Sequence, residues 1–312
     1  MSKRYVITGG SGFIGSGLVR ALQERGDGDV AVIDNLLTGH KKNLDGLAGP
    51  VDFHQVDIRD YDAIAPLIAG ADTLFHLAAI PSVPKSIADP IPSHDVNING
   101  TFSVLRAAKD GGVRRVVYAA SSSAYGDTDV LPKVESMKTM PKSPYALQKL
   151  VGEYYCNLFT TCFGLETIGL RFFNVYGPRQ DPMSAYSGVL SLFMKHLIAR
   201  TAPTIHGDGG QTRDFTYVED VANLVIKAST AGVPGTTYNA GNGGRFSLNS
   251  IWSMLQKAEG VEIQPLYGPG RAGDVRDSQA DTTLAARQLG HAPQFSIEEG
   301  LRRTLAWYKT SL

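Results

Sequence analysis

A tyrosine and a lysine one helical turn apart are the residues of this sequence best suited to move a proton. Tyr145 and Lys149 lie in PKSPYALQKLVGEYY, where Pro144 favours a helix start, so side chains four residues apart share one face of that helix. A free tyrosine has a pKa of about 10 and is a poor base at neutral pH, and a neighbouring positive charge lowers that pKa by stabilising the phenolate. Because the same spacing is common in surface pairs of ordinary helices, the pair predicts catalysis only together with other groups.

Three consecutive serines supply such a group. Ser121, Ser122 and Ser123 follow an apolar run and precede Tyr145 by about twenty residues. Their place predicts the carboxyl end of a strand, where open α/β sheets bind ligands. A hydroxyl there can hydrogen-bond a substrate hydroxyl and relay its proton to Tyr145. The pattern itself leaves open which of the three serines is the relay.

A glycine-rich turn near the N-terminus predicts a phosphate-binding cradle. Gly9, Gly12 and Gly15 lie in TGGSGFIG, between a strand-like run and a helical pattern. Glycine allows a tight turn, a close approach of a pyrophosphate to the backbone and close packing of helix on strand, and the helix N-terminus offers unpaired N–H groups. Asp34 follows 19 residues after Gly15, near the ~20-residue offset at which an acid binds the ribose 2′-hydroxyl and repels a 2′-phosphate. The pattern predicts NAD rather than NADP, and the positive nicotinamide would add to the charge beside Tyr145.

Alternating strand-like and helical runs predict the scaffold that positions these groups. Strand-like runs occur at residues 5–8, 30–34, 51–56, 73–77, 115–119 and 166–172. Helical patterns occur at 14–24, 61–68, 97–109 and 144–158. This rhythm is typical of an α/β fold, a doubly wound parallel sheet of the Rossmann type that helices cover on both faces.

Beyond residue 174 the sequence becomes richer in glycine, proline and polar residues. Helical patterns recur there at 189–199, 218–229, 248–259, 282–289 and 297–307. We therefore predict a NAD-binding domain at 1–174 and a smaller α/β substrate lobe at 175–312, with segments of the lobe returning to the first domain.

The composition excludes several other classes of protein. The 312 residues include 30 Lys+Arg and 30 Asp+Glu, so the formal net charge is zero, unlike that of a nucleic-acid binder or a membrane-surface protein. No apolar run approaches the ~20 residues of a membrane span, and the run after Arg4 is broken by glycines, which favours a first strand over a signal peptide. No cluster of His, Cys, Asp or Glu has metal-ligand spacing. We expect a cytoplasmic protein that binds no metal, membrane or nucleic acid.

Segments along almost the whole chain carry a family resemblance. They are TGGSGFIG, VIDNLLTG, VDIRD, FHLAAIPSVPKS, VNINGT, SSSAYGD, SPYALQK, LRFFNVYGPRQ, GDGGQTRDFTYVEDV and RAGDVRDSQAD. On these segments the sequence resembles the extended short-chain dehydrogenases/reductases, and within them the NAD-dependent UDP-glucose and UDP-N-acetylglucosamine 4-epimerases. Such enzymes oxidise C4 of a UDP-hexose and reduce the 4-keto sugar on its other face. The resemblance therefore implies reversible C4 epimerisation of a UDP-sugar with bound NAD.

The resemblance also implies the roles of individual residues. The catalytic set would be Ser121, Tyr145 and Lys149, with Lys149 also on the cofactor ribose. The other cofactor residues would be Gly9, Gly12, Phe13, Ile14, Gly15, Asp34, Asn35, Thr38, Gly39, Asp57, Ile58, Leu77, Ala78, Ala79 and Phe173. The substrate residues would be Ser82, Val83, Ser122, Ser123, Asn174, Val189, His206, Gln211, Arg213, Arg271, Asp274 and Ser278. By the same resemblance, Asp57 and Ile58 bind adenine, and Arg213 and Arg271 the diphosphate. Asp274 would bind the uridine ribose, while for His206 a plain loop role is an equal alternative.

Single residues bear on the alternatives within this family. Sugar 4,6-dehydratases and decarboxylases carry an acid just after the catalytic hydroxyl, where this sequence has Ser122 and Ser123, which argues against elimination. A UDP-glucuronate epimerase, a reductase and a non-catalytic NAD-binding sensor stay open as alternatives. By the resemblance Ser278 borders the C2 substituent of the sugar, and its small side chain leaves room for an N-acetyl group. The alternative is that Ser278 is merely a small loop residue.

The resemblance further implies a homodimer. Family members pack two helices of each subunit into an intersubunit four-helix bundle, and the helices predicted at 97–109 and 144–158 resemble that pair. Leu105, Leu147, Val151 and Leu158 are candidates for its seam, although core burial explains some of them equally well.

Overall fold

A central parallel sheet dominates the computed structural model, which describes residues 2–26, 28–181, 188–270 and 275–311. In chain order its strands are β1 (Lys3–Thr8), β2 (Gly28–Ile33), β3 (Asp52–His54), β4 (Thr73–His76), β5 (Arg115–Ser121), β6 (Glu166–Phe172), β7 (Val175–Tyr176), β8 (Thr204–His206), β9 (Thr212–Arg213), β10 (Thr216–Tyr217), β11 (Thr236–Ala240), β12 (Phe246–Ser247) and β13 (Leu266–Gly268). Seven of these described strands form the sheet in the order β3-β2-β1-β4-β5-β6-β11, all parallel to their neighbours. The predicted doubly wound sheet of the Rossmann type is thereby confirmed.

Helices cover both faces of this sheet. In chain order they are α1 (Phe13–Arg25), α2 (Tyr61–Ile68), α3 (Val83–Ala88), α4 (Pro90–His94), α5 (Thr101–Asp110), α6 (Pro144–Phe163), α7 (Val189–Ile198), α8 (Val218–Ala228), α9 (Leu248–Glu259), α10 (Thr283–Leu289) and α11 (Ile297–Ser311). One apolar cluster joins the sheet to α1, α8 and α10, and another joins it to α2, α5 and α6. Val6 and Ile7 of β1 belong to different clusters, because successive side chains of a strand point to opposite faces.

A third apolar cluster lies in the C-terminal part of the chain. It joins α7, α9 and α11, and at its centre the rings of Phe193 and Trp252 lie 5.3 Å apart between centroids. No helix in the described part of the chain combines the length and apolar character that a membrane crossing needs.

Several regions differ from the sequence prediction, which contains none of the strands that the structure has after residue 174. The sequence patterns predict no strand at β11, yet it pairs with β6 from Thr236 opposite Ile168 to Ala240 opposite Phe172. The helix predicted at 97–109 begins with a π-helical turn at Asp95–Gly100 and continues as α5, and the short helices α3 and α4 precede it. Prolines stand in the first turns of α3 and α4, the part of a helix that tolerates proline.

The outer face of α6 exposes apolar side chains. Leu147 and Leu158 are 50% and 49% exposed, and Val151 is partly exposed. Leu105, on α5, is fully buried in the apolar cluster of its own chain. Its prediction as a seam residue is therefore wrong, because packing against the sheet explains its apolar character.

Candidate active site

A cavity of about 870 Å³ opens at the carboxyl ends of the parallel strands. The predicted site residues that line it are Gly9, Gly12, Phe13, Ile14, Gly15, Asp34, Asn35, Thr38, Ile58, Leu77, Ala78, Ala79, Ser82, Val83, Ser121, Ser122, Ser123, Tyr145, Lys149, Phe173, Asn174, Arg213 and Ser278. Segments that are far apart in the sequence are thus brought together around one space.

Some predicted site residues do not line this cavity. Within the described chain these are Gly39, Asp57, Val189, His206 and Gln211. Arg271 and Asp274 lie outside the described residues. Val189 begins α7 directly after Gly188, which does line the cavity. His206 and Gln211 instead contact loop groups, since the Gln211 amide donates to the His206 carbonyl and the His206 ring hydrogen-bonds the Pro269 carbonyl.

The glycine cradle has no space for side chains. Gly9 has a φ of +75°, and a Cβ there would lie 2.7 Å from the Ala78 nitrogen. A Cβ on Gly15 would lie 2.1 Å from the Gly9 carbonyl oxygen. Gly12 caps the N-terminus of α1 without a side-chain hydrogen bond. A Cβ would therefore fill the cradle, while the helix end keeps N–H groups for an anion.

Asp34 is fixed at the end of β2 and is 7% exposed. One carboxylate oxygen accepts the Ser11 N–H at 2.9 Å and the other accepts the Leu36 N–H at 2.8 Å. Burial is the largest cause of its raised pKa, against these two hydrogen bonds. Among the described residues the buried Ser11 hydroxyl has no hydrogen-bond partner. Each carboxylate oxygen keeps acceptor capacity for a ribose hydroxyl, so this end of the cavity fits NAD and disfavours a 2′-phosphate.

The Asp57 carboxylate is bound by two side chains of the protein. It lies 2.8 Å from an Arg59 guanidinium nitrogen and accepts the Asn35 amide at 2.9 Å. The hydrogen bond from Arg59 is the main cause that lowers the pKa of Asp57 to about 2. Its neighbour Ile58 does line the cavity, and the adenine site at Asp57 and Ile58 stays a prediction.

Tyr145 sits in the first turn of α6. That turn begins with Pro144, and the Ser143 hydroxyl caps it by accepting the Ala146 N–H at 3.2 Å. The Ser86 hydroxyl of α3 accepts the Tyr145 N–H at 3.1 Å, which links the two helices. The Ser121 side chain, at the end of β5, lies near enough to the Tyr145 phenol to stabilise its ionised form, and both residues line the cavity.

The three serines differ in their surroundings. The Ser121 hydroxyl also lies 2.8 Å from the Ser123 hydroxyl, and it accepts the Ser123 N–H at 3.2 Å. Ser122 and Ser123 belong to the 3-10 turn Ser122–Tyr125 that follows β5. Of the three serines, Ser121 is the one that acts on the pKa of Tyr145, all three line the cavity, and the identity of the relay stays a prediction.

Lys149 follows Tyr145 by one helical turn, and its ammonium is hydrogen-bonded to the backbone of β5. Its ammonium donates to the Ala119 carbonyl at 2.8 Å and lies 5.1 Å from the centre of the Tyr118 ring. Burial lowers the pKa of Lys149 to about 8 and raises the pKa of Tyr145 to about 12, which the hydrogen bond from Ser121 only partly offsets. In the chain by itself burial therefore outweighs the neighbouring groups, and the lowered pKa that the sequence predicts from Lys149 and nicotinamide together stays a prediction.

His76 is a buried histidine whose two ring nitrogens both have protein partners. Its ring nitrogens lie 2.7 Å from the Thr8 hydroxyl and 2.9 Å from the Thr101 hydroxyl. Burial, together with the charge of Lys149, lowers the pKa of His76 to about 3, so the ring is neutral and unsuited to act as a base here.

Several lining residues were missed by sequence reasoning. They include Tyr125, Lys133, Gln180, Asp181 and Val275. Tyr125 directly follows the serine run, and its hydroxyl donates to the Asn239 side-chain oxygen at 2.6 Å. Its position directly after the serine run could have predicted that Tyr125 lines the cavity. Lys133 lies in a loop that contains no motif.

Ser278 and Arg213 line one end of the cavity, next to short strands, and this end is called the substrate end. Ser278 donates its N–H to the Thr212 carbonyl at 3.1 Å and is 9% exposed. The Arg213 guanidinium donates to the carbonyls of Thr212 and Arg276 at 2.9 and 2.8 Å, which orients it at the cavity wall. In the part of the chain that is described, no three His, Cys, Asp or Glu side chains come together as a metal site would require.

Comparisons with known proteins agree with this geometry. Residues 5–241 match the NAD dependent epimerase/dehydratase family. The chain is 37% identical over 311 residues to a UDP-glucose 4-epimerase of Mycolicibacterium smegmatis, covering 98% of each chain. It is 31% identical over 324 residues to a UDP-N-acetyl-alpha-D-glucosaminuronate decarboxylase of Bacillus cytotoxicus, covering 99% of this chain and 98% of that one.

A solved structure is similar over the whole chain. The UDP-N-acetylglucosamine 4-epimerase from Methanobrevibacter ruminantium, in complex with UDP-N-acetylmuramic acid, gives a TM-score of 0.95 at 34% identity, covering 100% of this chain and 99% of that one. Since epimerases and a decarboxylase are all similar to this chain, the groups in the cavity must distinguish between their reactions.

Proposed function

Because the chain belongs to the NAD dependent epimerase/dehydratase family, we propose that it inverts C4 of a UDP-hexose by reversible oxidation through a 4-keto sugar. The observation that carries this proposal is that Ser121, Tyr145 and Lys149 line one cavity, with Lys149 one turn beyond Tyr145 on α6. These three groups are those that a proton relay at a sugar hydroxyl requires.

The acids of the cavity favour epimerisation over elimination. Among the described lining residues the carboxylates are Asp34 and Asp181. Asp34 is bonded to the backbone of the cradle, and Asp181 lies 3.7 Å from His40 in the loop after β2. The positions directly after Ser121 are Ser122 and Ser123, so no described carboxylate stands where a dehydratase or decarboxylase would place its acid.

The glycine cradle and Asp34 would hold NAD, with its pyrophosphate at the N-terminus of α1 and a ribose at Asp34. Lys149 would hold the other ribose, and Leu77, Ala78 and Phe173 would line the nicotinamide end. When bound, NAD supplies the acceptor for the C4 hydride and its return, so the reaction has no net oxidation.

Ser121 and Tyr145 would move the proton of the 4-hydroxyl. The Ser121 hydroxyl bonds the substrate oxygen, and Tyr145 takes the proton as a base and returns it as an acid when the ketone is reduced. Because burial raises the pKa of Tyr145 to about 12, the phenolate would need positive charge in the cavity. Bound NAD and the Lys149 ammonium would supply that charge.

The sugar must turn between the two half-reactions while its nucleotide stays bound. A guanidinium such as that of Arg213 suits the diphosphate because it can donate two parallel hydrogen bonds. The small side chains of Ser122, Ser123 and Ser278 leave space for the ring. Firm binding of the nucleotide and loose binding of the sugar would thus come from different parts of one cavity.

A mass-resolved turnover assay tests the proposed reaction. The purified protein would be incubated separately with UDP-galactose, UDP-N-acetylgalactosamine and UDP-glucuronate, and the products resolved by chromatography and mass spectrometry. Epimerisation gives a product of unchanged mass with inverted C4. Loss of water or carbon dioxide from the sugar would identify a dehydratase or decarboxylase and contradict the proposal.

We expect Ser278→Tyr to remove turnover of N-acetylated sugars selectively. A tyrosine in place of this 9% exposed serine would fill the space that a turning acetamido group needs. Turnover of UDP-N-acetylglucosamine and its galacto epimer should fall by about 10-fold or more, since overpacking costs about 1–3 kcal/mol. UDP-glucose and UDP-galactose, assayed with the same variant, are the control. Equal loss for both pairs, or no loss for the N-acetylated pair, would refute the steric account.

We also expect a homodimer that α6 holds together. Leu147, Val151, Tyr154 and Leu158 form one stripe of that helix, and Tyr154 is 58% exposed. Leu147→Glu combined with Leu158→Glu should convert a dimer at micromolar concentration into a monomer, measured by light scattering after size exclusion. Leu266→Glu, at a 59% exposed leucine in β13, is the control and should stay dimeric. A wild-type protein that is monomeric at that concentration would disprove the proposal.

A further inference from the structure

Lys133 is a buried lysine at the substrate end of the cavity. Its N–H donates to the Gln279 carbonyl at 2.8 Å, and its carbonyl accepts the Asp281 N–H at 2.9 Å, so it is bridged to Ala280. Directly paired residues of neighbouring strands point to the same side, as Lys133 and Ala280 do. Residues two apart in an extended segment also share a side, so Ser278 lies on the same side as Ala280 and Lys133. Lys133 and Ser278 both line the cavity.

The Lys133 ammonium has donor capacity to spare. The residue is 2% exposed, and its ammonium donates to the Thr128 carbonyl at 2.5 Å. An ammonium has three N–H donors, and Thr128 supplies the acceptor for one of them. Among the described residues no second hydrogen-bond acceptor for this ammonium is present. Two donors of a buried cation are therefore available to a ligand.

Three acids act on the Lys133 charge, namely Asp127, Asp129 and Asp277, and two of them are bound to other groups. Asp127 is 3.1 Å from the Lys142 ammonium, and Asp277 accepts hydrogen bonds from the N–H and hydroxyl of Thr212. A lysine is rarely buried without a partner, because removing an ammonium from water is costly unless other groups bind it. The position is thus better explained by a ligand than by the loop alone.

We propose that Lys133 is a specificity residue whose ammonium donates a hydrogen bond to the carbonyl oxygen of an acetamido group at C2 of the hexose. The inference rests on the proposed function and deepens it. Ser278 beside it leaves space for this substituent, but space only permits an N-acetyl group. Lys133, which donates and never accepts, adds attraction for a carbonyl oxygen, which accepts and never donates.

Lys133→Met separates this role from a structural one. Methionine keeps much of the length of the side chain and removes its donors, and replacing a buried charge by an apolar side chain is often neutral or stabilising. In the full-length protein, KM for UDP-N-acetylgalactosamine should rise by about tenfold, the effect of losing one charged hydrogen bond. Its kcat, and the KM for UDP-galactose, should change less than about twofold by the same reasoning. Lys142→Met, at a lysine whose side chain is 52% exposed in the same loop region, is the matched control.

A substrate change tests the same contact without a variant. UDP-glucosamine carries a protonated amine in place of the acetamido group, so wild-type protein should bind it more weakly than UDP-glucose in calorimetry, because two cations would then face each other. Binding as tight as that of UDP-N-acetylglucosamine overturns the inference, as does an equal or absent effect of Lys133→Met on the two galacto sugars. If wild-type protein turns over none of these sugars, the proposed function itself fails, which is a different result.

Discussion

Tyr145→Phe should remove most turnover of every UDP-sugar that the protein accepts, by about 10²- to 10⁴-fold in kcat. The substitution deletes only the hydroxyl that contacts Ser121, while the ring keeps its place in the first turn of α6. The proton of the 4-hydroxyl then has no base to receive it. Turnover would be measured by coupled assay, and UDP affinity by calorimetry should stay within about twofold, since no described contact of Tyr145 involves the proposed diphosphate site.

Tyr154→Phe provides the matched control for this experiment. Tyr154 lies on the same helix and is 58% exposed, so loss of its hydroxyl removes no group of the cavity. Its kcat should equal that of the wild type. Turnover of Tyr145→Phe near the wild-type value would contradict the assignment of Tyr145 as the base and point to another group in the cavity.

Gly15→Ala should deprive the protein of its cofactor. The added Cβ would lie 2.1 Å from the Gly9 carbonyl oxygen, so the turn between β1 and α1 must open. Overpacking of this kind costs about 1–3 kcal/mol, which corresponds to about a 10- to 100-fold loss of NAD affinity if the shift falls on the cradle. NAD released from the denatured protein, measured per chain, should fall accordingly.

Gly49→Ala is the control for the added methyl group. A Cβ there would meet only the Gln23 side-chain amide at an ordinary 3.8 Å, and the residue does not line the cavity. This variant should retain wild-type NAD content. Circular dichroism of both variants separates loss of the cradle from loss of the fold, and full NAD content in folded Gly15→Ala would refute the cradle as the pyrophosphate site.

The elements that the sequence predicts are those whose own residues carry a strong pattern. The helix at 61–68 and the strand at 166–172 are predicted to the residue, because the helix repeats apolar residues at helical spacing and the strand is a short apolar run. β11, with the sequence TTYNA, has little apolar character of its own. It becomes a strand because the edge of β6 offers hydrogen bonds, and a local pattern does not contain that information.

The site residues also divide into those that local motifs predict and those that only the folded chain brings to the cavity. The glycine cradle, Asp34, Tyr145 and Lys149 lie in local motifs, and the structure brings all of them to one cavity. Lys133 was not predicted, because only the bridge to residues about 150 positions later brings it beside Ser278. The lowered pKa of Tyr145 that the sequence predicts depends on Lys149 and nicotinamide together and stays a prediction, and the burial that raises this pKa in the chain by itself is not visible in a local motif.

β11, the last strand along the chain to join the central sheet, also sets the order in which that sheet can form during synthesis. β5, which ends in Ser121, is next to β6, and the outer edge of β6 is covered by β11 only after residues 173–235 have been made. At about 5–20 residues per second, a ribosome takes about 3 to 12 seconds over that stretch. During this time a strand of buried residues presents an open edge to other chains. The nascent chain therefore passes through a period in which it is most exposed to aggregation just beside its future catalytic centre, and chaperones would have to protect it there.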